Sequence, residues 1–410
     1  MSDHDDEVQR AISALEALPR ELFLHVCSFL DVKCILTILK LVCQQFNAVL
    51  TDEKLWKRRL RRVLPNVQYP GFVVRKEDFT WSRACGSAER EVERWVHCRT
   101  GFHRPDVMLK AGHFASVDAV HLLGDKARFC LSGARDRSIC LWDLQKLEQV
   151  QNAESMDEAV SSSCIFSQEH AHEGWIWTIA SADSSYVYSG GWDCHVKLWH
   201  LGTDRFELVT DAKLSAAVLS VIAEPDLFIV STFDQKITLF DPRDSNKQIN
   251  CLKVHNGPVL NLVAADDAPY IFSCAEDKYV HCIDRRTWKP VNSRLLPRYA
   301  QSLSYGEHQL WVSTGGGYLS LLNPHAQGLP SIRSPRIAGT FSVRQVKHSL
   351  GSVLSISSDK RLRVFTPGQR IKQLYLSDEF SAEPHRIDYA HGTLVCAFSD
   401  GNVGLWKHVY

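Results

Sequence analysis

The sequence predicts an α+β multidomain protein, in which a small all-α unit is followed by an all-β, seven-bladed propeller. Two observations predict the propeller. Short β-rich runs alternate with polar turns, and one pattern within them returns about every 40 residues from Ser116 onward. A third observation predicts the helical unit, since the first hundred residues lack this period and carry apolar residues at helical spacing. The composition, 45% hydrophobic and 23% charged over 410 residues, suffices for a large core.

Charge and cysteine usage exclude several function classes. Lys plus Arg and Asp plus Glu both number 47, so the overall balance favours neither nucleic acid nor an anionic membrane as a partner. The 13 cysteines include no C-x-x-C pair, which predicts free thiols, no metal site and no cofactor. Met1 to Glu7 is acidic without an apolar segment, and no run approaches the length of a membrane span. These features predict a soluble protein of the cytoplasm, the nucleus or both.

The helical unit follows an acidic tail, residues 1–14, which we expect to be disordered. Pro19 suits the first turn of a helix, where its missing N–H costs nothing, and Glu21 lies near the positive end of the helix dipole. Asp31 can cap a second helix. The apolar positions that recur at helical spacing and then close a small core are Leu22, Val26, Phe29, Leu30, Leu36, Leu39, Val42, Cys43, Phe46, Leu50, Leu55 and Trp56. Three short helices are marginally stable alone, so a partner helix on exposed apolar residues would benefit the unit.

Residues 15–62 resemble the F-box, through Leu18-Pro19-x-Glu21-Leu22, Phe29-Leu30-Asp31 and Leu36-x-x-Leu39-x-x-Val42-Cys43. Phe46 stands where the family usually has Trp, and a flat aromatic is thereby kept. The resemblance implies that this unit binds a Skp-type adaptor. The residues that it implies for the contact are Leu18, Pro19, Glu21, Leu22, Val26, Leu30, Leu39, Phe46 and Trp56.

The segment between the two parts, residues 63–104, is expected to be a helical linker. A helix over Ala88 to Cys98 would have Val92, Trp95 and Val96 as its core residues. The basic run from Lys57 to Arg62 could be a nuclear localisation signal or a patch for an acidic partner. Its place where the last helix of the first unit ends favours a solvated helix face.

The repeat that marks the blades is an Asp followed six residues later by an apolar or aromatic residue. Its seven copies, with Gly in the fifth, are at Asp136, Asp193, Asp234, Asp277, Gly316, Asp359 and Asp400. In the three fullest copies a His lies 21 to 23 residues before the Asp, and a Ser lies four residues before it. The His ring can bond the carboxylate with one nitrogen and the Ser hydroxyl with the other, and the hydroxyl can accept from a Trp indole. The members of these structural tetrads are His113, Ser132, Asp136, Trp142, His172, Ser189, Asp193, Trp199, His255, Ser273 and Asp277.

This pattern resembles the WD-repeat family, and Leu141-Trp142-Asp143 carries the dipeptide itself. Phe240-Asp241 and Ile283-Asp284 are eroded forms. The third copy has Val230 in place of the Ser, and no well-placed His is found in the third, fifth or sixth copy. Residues 105–410 are therefore predicted to form a seven-bladed WD-repeat β-propeller.

Closure of the ring can also be predicted. Asp106 to Lys110 reads as a strand without a sheet, and it would supply the outer strand that the last blade lacks. The longest interval between two successive Asp positions of the repeat runs from Asp136 to Asp193. Its additional residues predict a surface loop near residues 145–170.

An F-box followed by WD repeats resembles the substrate receptors of SCF-type ubiquitin ligases. The resemblance implies a Skp-type adaptor, a cullin and a RING subunit as partners, a protein target on the propeller, and no catalytic residue in this chain. An alternative is a non-catalytic WD-repeat scaffold that is not linked to ubiquitin. An enzyme is disfavoured, because the Ser, His and Asp residues recur in each full repeat, whereas a nucleophile would occur once.

The rim of the propeller supplies candidate target-binding residues. In a WD propeller the residues just before each tetrad Asp and just after each His lie on one rim, and here they include Phe114, Arg135, Trp175, Trp192 and Phe233. A phosphate-binding rim needs several converging arginines, and Arg135 is the one Arg among the residues that precede the Asp positions. We therefore expect a target segment anchored by apolar side chains and not strictly dependent on phosphate. The alternative, that some of these aromatics pack inside the blades, stays open at the sequence level.

Overall fold

The structure, a computed structural model, describes residues 18–63, 80–97, 105–110, 112–147, 160, 162–202, 205–244, 247–265 and 268–407. Within these ranges it has a helical N-terminal unit followed by a propeller of seven four-stranded sheets, so the predicted fold class is confirmed. The predicted acidic tail, residues 1–14, lies outside the described residues. No helix of the described ranges is long and apolar enough to cross a membrane.

The part of the N-terminal unit that the structure describes contains four short helices. Helix α1 is Arg20–Cys27, and α2 is a continuous run of Val32–Cys34, a π-helical turn Ile35–Leu39, and Lys40–Val42. Helices α3 and α4 are Gln44–Leu50 and Glu53–Val63. Asp31 caps α2, because its side chain accepts a hydrogen bond from the Cys34 N–H at 2.6 Å. The predicted cap at Asp31 is therefore confirmed.

The propeller strands are numbered in chain order after β1 (Val107–Leu109). Blade 1 contains β2–β5, which are Val117–Leu123, Phe129–Ala134, Ile139–Asp143 and Cys164–Gln168. Blade 2 contains β6–β9, which are Ile176–Ser181, Tyr186–Gly191, His195–Leu201 and Phe206–Lys213. Blade 3 contains β10–β13, which are Val218–Ala223, Phe228–Thr232, Ile237–Asp241 and Lys247–Leu252. Blade 4 contains β14–β17, which are Val259–Ala264, Tyr270–Ala275, Tyr279–Asp284 and Lys289–Leu295.

Blades 5 to 7 follow the same order. Blade 5 contains β18–β21, which are Ala300–Gly306, Gln309–Thr314, Leu319–Leu322 and Ser331–Arg333. Blade 6 contains β22–β25, which are Val343–His348, Val353–Ser357, Arg361–Phe365 and Gln373–Leu376. Blade 7 contains β26–β28, which are Pro384–Ala390, Thr393–Phe398 and Val403–Lys407, and β1 joins it as the outer strand. Val107 pairs with Leu405 and Leu109 with Val403, antiparallel, so the predicted closure of the ring by β1 is confirmed.

Every blade makes the same tight turn between its second and third strands. The residue directly after each Asp position has a left-handed φ between 59° and 86°, and these residues are Arg137, Cys194, Gln235, Lys278, Gly317, Lys360 and Gly401. Five of the seven are not glycine, and side chains rarely adopt this backbone conformation without support. The polar networks around the Asp positions supply that support.

Polar side chains along the central channel join neighbouring blades. The third residue of each innermost strand lines the channel, and we call this set the channel ring: Thr178, Ser220, Asn261, Ser302, Gln345 and Arg386, with Ala119 from blade 1. Ring side chains accept hydrogen bonds from the next blade, as Asn261 does from the Leu303 N–H at 2.9 Å and Gln345 from the Ile387 N–H at 2.6 Å. These bonds tie successive blades together without apolar contact.

Helix α5 (Trp81–His97) belongs to both parts of the protein. Its first half contributes Trp81, Cys85 and Ala88 to the core of the N-terminal unit. Its second half places Trp95 in the core of blades 6 and 7, where the ring centroids of Trp95 and Tyr375 are 5.6 Å apart. The unit is therefore attached to the propeller by a shared helix rather than by a separate linker.

Polar contacts fix α5 to the hairpin tips of two blades. Glu91 is buried, and its carboxylate accepts hydrogen bonds from the hydroxyls of Ser349 and Ser352 and from the Gly351 N–H. A side chain at position 351 would lie 2.9 Å from the Ala88 carbonyl oxygen, so glycine permits this close approach. These tips connect first and second strands, and they lie at the opposite end of the blades from the turns after the Asp positions. The N-terminal unit thus docks on the face opposite the predicted target-binding rim.

Three sequence expectations need correction. The outer strand of blade 1, Cys164–Gln168, lies inside the segment predicted to be a surface loop, because its residues pair with Ile139 to Trp142 of β4. In the basic run, Arg59 is not on a solvated face: its guanidinium bonds Glu89 and the carbonyls of Cys27 and Leu30. In α5, Val96 is exposed while Trp95 is buried, since only one face of the helix meets the propeller.

Candidate functional site

Helices α1 and α2 present a row of exposed apolar side chains. The set comprises Leu22, Val26, Phe29, Ile38, Leu41 and Val42, and we call it the α1–α2 apolar face. Phe29 is 77% exposed and Leu41 79%, which is unusual for large apolar residues that lie beside one another on a small unit. Leaving these side chains in water is unfavourable, so this face favours a partner that covers it.

The residues predicted to contact an adaptor divide into those that are at least partly exposed and those that are buried. Leu22 and Val26 belong to the α1–α2 apolar face, Pro19 and Glu21 are exposed beside it, and Leu18, Leu30 and Leu39 are half-buried. Phe46 and Trp56 are buried and cannot touch a partner, so their prediction as contact residues is wrong. Phe46 stacks on Phe23 with centroids 4.3 Å apart, and the Trp56 indole donates to the Leu50 carbonyl at 2.7 Å.

Sequence reasoning missed four of the six members of the apolar face as contact residues: Phe29, Ile38, Leu41 and Val42. Ile38 and Leu41 belong to α2, and Phe29 lies in the turn that precedes it. The same helical spacing that marks core residues also marks these, and the π-helical turn within α2 rotates the residues that follow it. One signal was available in the sequence. The unit has more apolar residues than so small a core can bury, so some of them must be exposed.

The predicted tetrads form in blades 1 and 2. In blade 1, His113 Nδ1 lies 3.1 Å from a carboxylate oxygen of Asp136, and His113 Nε2 lies 2.8 Å from Ser132 Oγ. The indole of Trp142 donates to the same hydroxyl at 2.8 Å. Blade 2 repeats the geometry with its own set, His172, Ser189, Asp193 and Trp199.

The third predicted set, in blade 4, is complete except for the Trp. His255 Nδ1 lies 3.0 Å from Asp277, and its Nε2 lies 2.8 Å from Ser273 Oγ. His255, Asp277 and His281 also lie close enough to hold a metal ion together. Both ring nitrogens of His255 are engaged in the tetrad, however, so metal binding would require that the tetrad break. Burial and the neighbouring His255 lower the pKa of His281 to about 4.

Each tetrad carboxylate also holds the loop that leads into the blade. Asp193 accepts from the N–H groups of Glu173 and His195 at 2.9 and 3.1 Å, in addition to its bond with His172. Burial alone would raise the pKa of Asp193, but these bonds outweigh it and lower the pKa to about 2. The carboxylate therefore fixes the residues after the His on the same rim as the turn.

Three of the predicted rim aromatics form a continuous surface across blades 2 and 3. The centroids of Trp175 and Trp192 are 5.9 Å apart, and those of Trp192 and Phe233 are 6.0 Å apart. The three side chains are between 39% and 49% exposed, and we call them the aromatic ridge. Phe114 is 89% exposed and has no ring contact with the ridge in the described part of the chain. The alternative that these aromatics are hidden inside the blades does not hold.

Trp177 extends this surface inward and was not predicted. Its ring meets that of Trp192 at 5.9 Å, nearly perpendicular, and it also lines the central channel. It lies on the innermost strand β6, two residues after Trp175, and the β-bulge between Ile176 and Thr178 falls at this residue. A register shift occurs at the same position of the innermost strand in every blade.

Arg135 supports the ridge and is not free to bind phosphate. Its guanidinium lies over the Trp175 ring, 4.7 Å from the centroid, and its Nε donates to Asp118 at 2.6 Å. Asp118 is almost fully buried and also bonds His385 Nδ1 at 2.8 Å. The predicted rim arginine is thus used to hold an aromatic side chain in place.

Comparisons with known proteins agree with this geometry. The sequence profile of the F-box-like family matches residues 15–62, and the profile described as WD domain, G-beta repeat matches residues 107–143, 162–200 and 246–284. F-box/WD repeat-containing protein 9 of Bos taurus is 34% identical over 398 residues, which cover 97% of this chain and 83% of that protein. The chain belongs to the F-box/WD-repeat family. The Homo sapiens protein of the same name is 35% identical over 86% of this chain and 74% of its own length. The Caenorhabditis elegans F-box/WD repeat-containing protein mec-15 is 28% identical over 95% of both chains.

The WD profile matches blades 1, 2 and 4, which are the blades with His, Ser and Asp in place. Among the unmatched blades, blade 3 has a lysine in this network instead of a His. The Lys236 ammonium bonds Asp234 and also Ser215, where an F-box/WD-repeat protein would usually use a His. Burial would raise the pKa of Asp234, but hydrogen bonds from Lys236, Ser215 and Thr232 keep it below its usual value.

In blade 6 an arginine takes the place of the His in the network around the Asp. The Arg363 guanidinium bonds both carboxylate oxygens of Asp359 and donates to Ser357 Oγ at 2.6 Å. Arg363 lies four residues after the Asp, whereas a tetrad His lies more than twenty residues before it. The turn is therefore clamped in this blade of the F-box/WD-repeat propeller by a residue that the family pattern does not mark.

Proposed function

We propose that this chain is the substrate-recognition subunit of an SCF-type E3 ubiquitin-protein ligase complex. The α1–α2 apolar face carries the proposal. It lies within the segment that matches the F-box-like family, and large apolar side chains there are exposed although the core beneath is complete. Such a face fits the apolar helices of a Skp-type adaptor.

The remaining partners follow from the adaptor. A Skp-type adaptor would connect the chain to a cullin and its RING subunit, which recruits a charged ubiquitin-conjugating enzyme. The chain itself would supply no catalytic group. It would act by holding the target close to the thioester, so that transfer proceeds as if within one molecule. We place this activity in the cytoplasm, the nucleus or both.

The aromatic ridge is the surface that we assign to the target. Two tryptophans and a phenylalanine side by side on one rim are typical anchors of protein interfaces, because each buries a large apolar area at low entropic cost. The one nearby arginine is engaged by Asp118 and Trp175. We therefore propose a target segment with bulky apolar side chains whose capture does not require phosphate.

Adaptor capture tests the ligase assignment. Leu22→Ala combined with Val26→Ala removes exposed side chains and leaves the core intact, so the chain should fold normally. We expect the tagged wild-type chain to co-purify with a Skp-type adaptor and a cullin, and the double variant to lose at least about 90% of both, since two truncated contact residues cost several kcal/mol of binding free energy.

Leu208→Ala is the matched control, because Leu208 is as exposed as Leu22 but lies on the outer strand β9. It should capture the adaptor as well as the wild type does. Equal adaptor recovery by the wild type and the Leu22/Val26 variant would refute the assignment. A wild-type chain that captures no adaptor at all would favour a WD-repeat scaffold instead.

A further inference from the structure

The central channel of the propeller contains a charged side chain without a counterion. The channel holds a cavity of about 260 Å³, and the channel ring surrounds it. Arg386 belongs to this ring, and its guanidinium makes no hydrogen bond or ion pair with any residue that the structure describes. The Arg386 side chain is half-buried, so its donors face the solvent of the channel and are available to an anion.

The carboxylates closest to Arg386 already have partners. Asp118 is held by Arg135 and His385 at 2.6 and 2.8 Å. Asp388 lies two residues further along β26 and is paired with Lys347 at 2.6 Å. Arg344, which is also near Arg386, is itself paired with Glu383. The positive charge of Arg386 therefore has no counterion among these carboxylates.

The charge of Arg386 acts on groups of two other blades. Burial lowers the pKa of Arg386, and the charge of Asp118 in blade 1 opposes that effect. On the far side, in blade 4, burial raises the pKa of Cys274, and Arg386 is among the groups that oppose this rise. Arg386 lines the channel together with residues of both of these blades.

The two amide side chains of the ring have fixed orientations. The Gln345 carbonyl oxygen accepts the Ile387 N–H, so its NH₂ group must point elsewhere, and it has no partner in the described ranges. The Asn261 oxygen is fixed in the same way by the Leu303 N–H, which directs its NH₂ group toward Ser220, 3.4 Å away. Because backbone donors fix both oxygens, the orientation of these amides is determined by the hydrogen bonds themselves.

We propose that the channel ring binds a small free oxyanion of the phosphate or sulfate class. The Arg386 guanidinium would donate two parallel hydrogen bonds to it, and the Gln345 amide would donate a third. The anion would neutralise the unpaired charge and join blade 7 to blade 6. This site is separate from the aromatic ridge and does not depend on the ligase assignment.

Thermal unfolding of the full-length chain tests the site with inorganic phosphate, sulfate and chloride at equal ionic strength. We expect phosphate and sulfate to raise the unfolding midpoint above its value in chloride, because a ligand that binds only the folded state stabilises it. Broadening of the ³¹P resonance of phosphate by the chain provides a direct measure of binding. No difference among the three salts would overturn the proposal.

Two variants localise the effect. Arg386→Gln should weaken phosphate binding about tenfold or more, since it removes the charged donor. Arg370→Gln removes the same charge from an exposed position and should leave phosphate binding unchanged. An equal response of Arg386→Gln and the wild type would overturn the proposal.

Gln345→Glu is a sharper test, because it keeps the acceptor for the Ile387 N–H and replaces the amide donor with a carboxylate. The new carboxylate should pair with Arg386. This variant should then unfold at a higher midpoint than the wild type in chloride and show no response to phosphate. A variant that is destabilised in chloride, or that still responds to phosphate, would contradict the assignment.

The source of the anion is tested with O-phosphoserine. A free ion in an enclosed ring should bind in preference to an ester that carries a bulky substituent. Weaker binding of O-phosphoserine than of inorganic phosphate supports a free ion. Tighter binding of O-phosphoserine would overturn this assignment and indicate a phosphorylated partner that enters the channel.

Discussion

At the scale of single residues, the tetrad carboxylates account for much of the local order on the rim. Asp193 joins the His172 ring and the Glu173 N–H, both of the loop before β6, to the N–H of His195 after the turn. The left-handed Cys194 that follows it is held in place by these bonds. A charged group that is stabilised in the folded state in this way also makes stability depend on pH.

Asp193→Asn tests this dependence. The folded pKa of Asp193 is lowered to about 2, so its contribution is present above the unfolded pKa and is lost as pH falls toward 2. We expect the variant to lose about 2 kcal/mol of unfolding free energy at pH 7. The deficit should shrink between about pH 4 and pH 2, which urea unfolding at several pH values would measure.

Asp226→Asn is the control for Asp193, because Asp226 is exposed and its salt bridge with Arg243 is also on the surface. It should change the unfolding free energy by less than about 0.5 kcal/mol at every pH. A deficit for Asp193→Asn that stays constant down to pH 3 would show that the hydrogen bonds, rather than the charge, provide the stability.

The aromatic ridge gives the second prediction at this scale. Trp175→Ala with Trp192→Ala should abolish capture of targets from lysate while adaptor capture continues, because the two faces lie at opposite ends of the blades. Phosphatase treatment of the lysate should leave target capture largely intact. Loss of targets after phosphatase treatment, with normal capture by the double variant, would contradict the proposed apolar anchor.

The tetrads were accessible to sequence reasoning because a His, a Ser and an Asp return at fixed offsets. The roles of Lys236 and Arg363 could not be predicted in this way. Each bonds the Asp of its blade from a position where the repeat pattern allows many residue types. The sequence also did not indicate that Leu22 is exposed whereas Phe46 is buried. Both are apolar residues at helical spacing, and only the packing of the helices separates them.

At the scale of elements, strand β1 decides whether blade 7 has a free edge. The period of the repeats was sufficient to predict all seven blades, including the fifth with its Gly316, and the missing outer strand followed from counting. The pairing of β5 was not predictable, because the long segment that contains it is rich in polar residues.

Removal of β1 gives the third prediction. A chain of residues 112–410 should unfold at a lower midpoint than one of residues 105–410, although both contain every repeat. The cause is the loss of β1 from its pairing with β28 and of buried Leu109 from the core between blades 7 and 1. Equal midpoints for two monomeric chains would show that the closure by β1 contributes nothing to stability.

At the scale of the whole molecule, α5 makes one body of two domains. Because its first half lies in the F-box core and its second half in the core of blades 6 and 7, neither part can move without disturbing the other. The propeller residue Leu350 packs against the F-box core as well. The sequence indicated a linker helix here but not that the helix is shared, because one apolar stripe cannot reveal two different partners.

Glu91 and Trp95 provide the fourth prediction. The wild-type chain should unfold in one calorimetric transition, since its two cores share a helix. Glu91→Ala with Trp95→Ala should separate that transition into two, because the hydrogen bonds of Glu91 to the blade 6 hairpin and the packing of Trp95 on Tyr375 are both removed. Glu93→Ala, on the exposed side of the same helix, should leave the single transition unchanged. A single transition in the double variant would show that other contacts couple the two domains.

The pairing of β1 with β28 also sets the order of events during synthesis. The two strands are separated by roughly 300 residues, which a ribosome takes about 15 to 60 seconds to add. The F-box emerges first, but the hairpin tips on which α5 rests are among the last parts to be made. Throughout that interval the growing chain exposes both an unpaired strand and an undocked helix. We therefore expect nascent chains of this protein to depend on chaperones for longer than a domain that closes locally, because blade 7 has a complete sheet only when its final strand has been made.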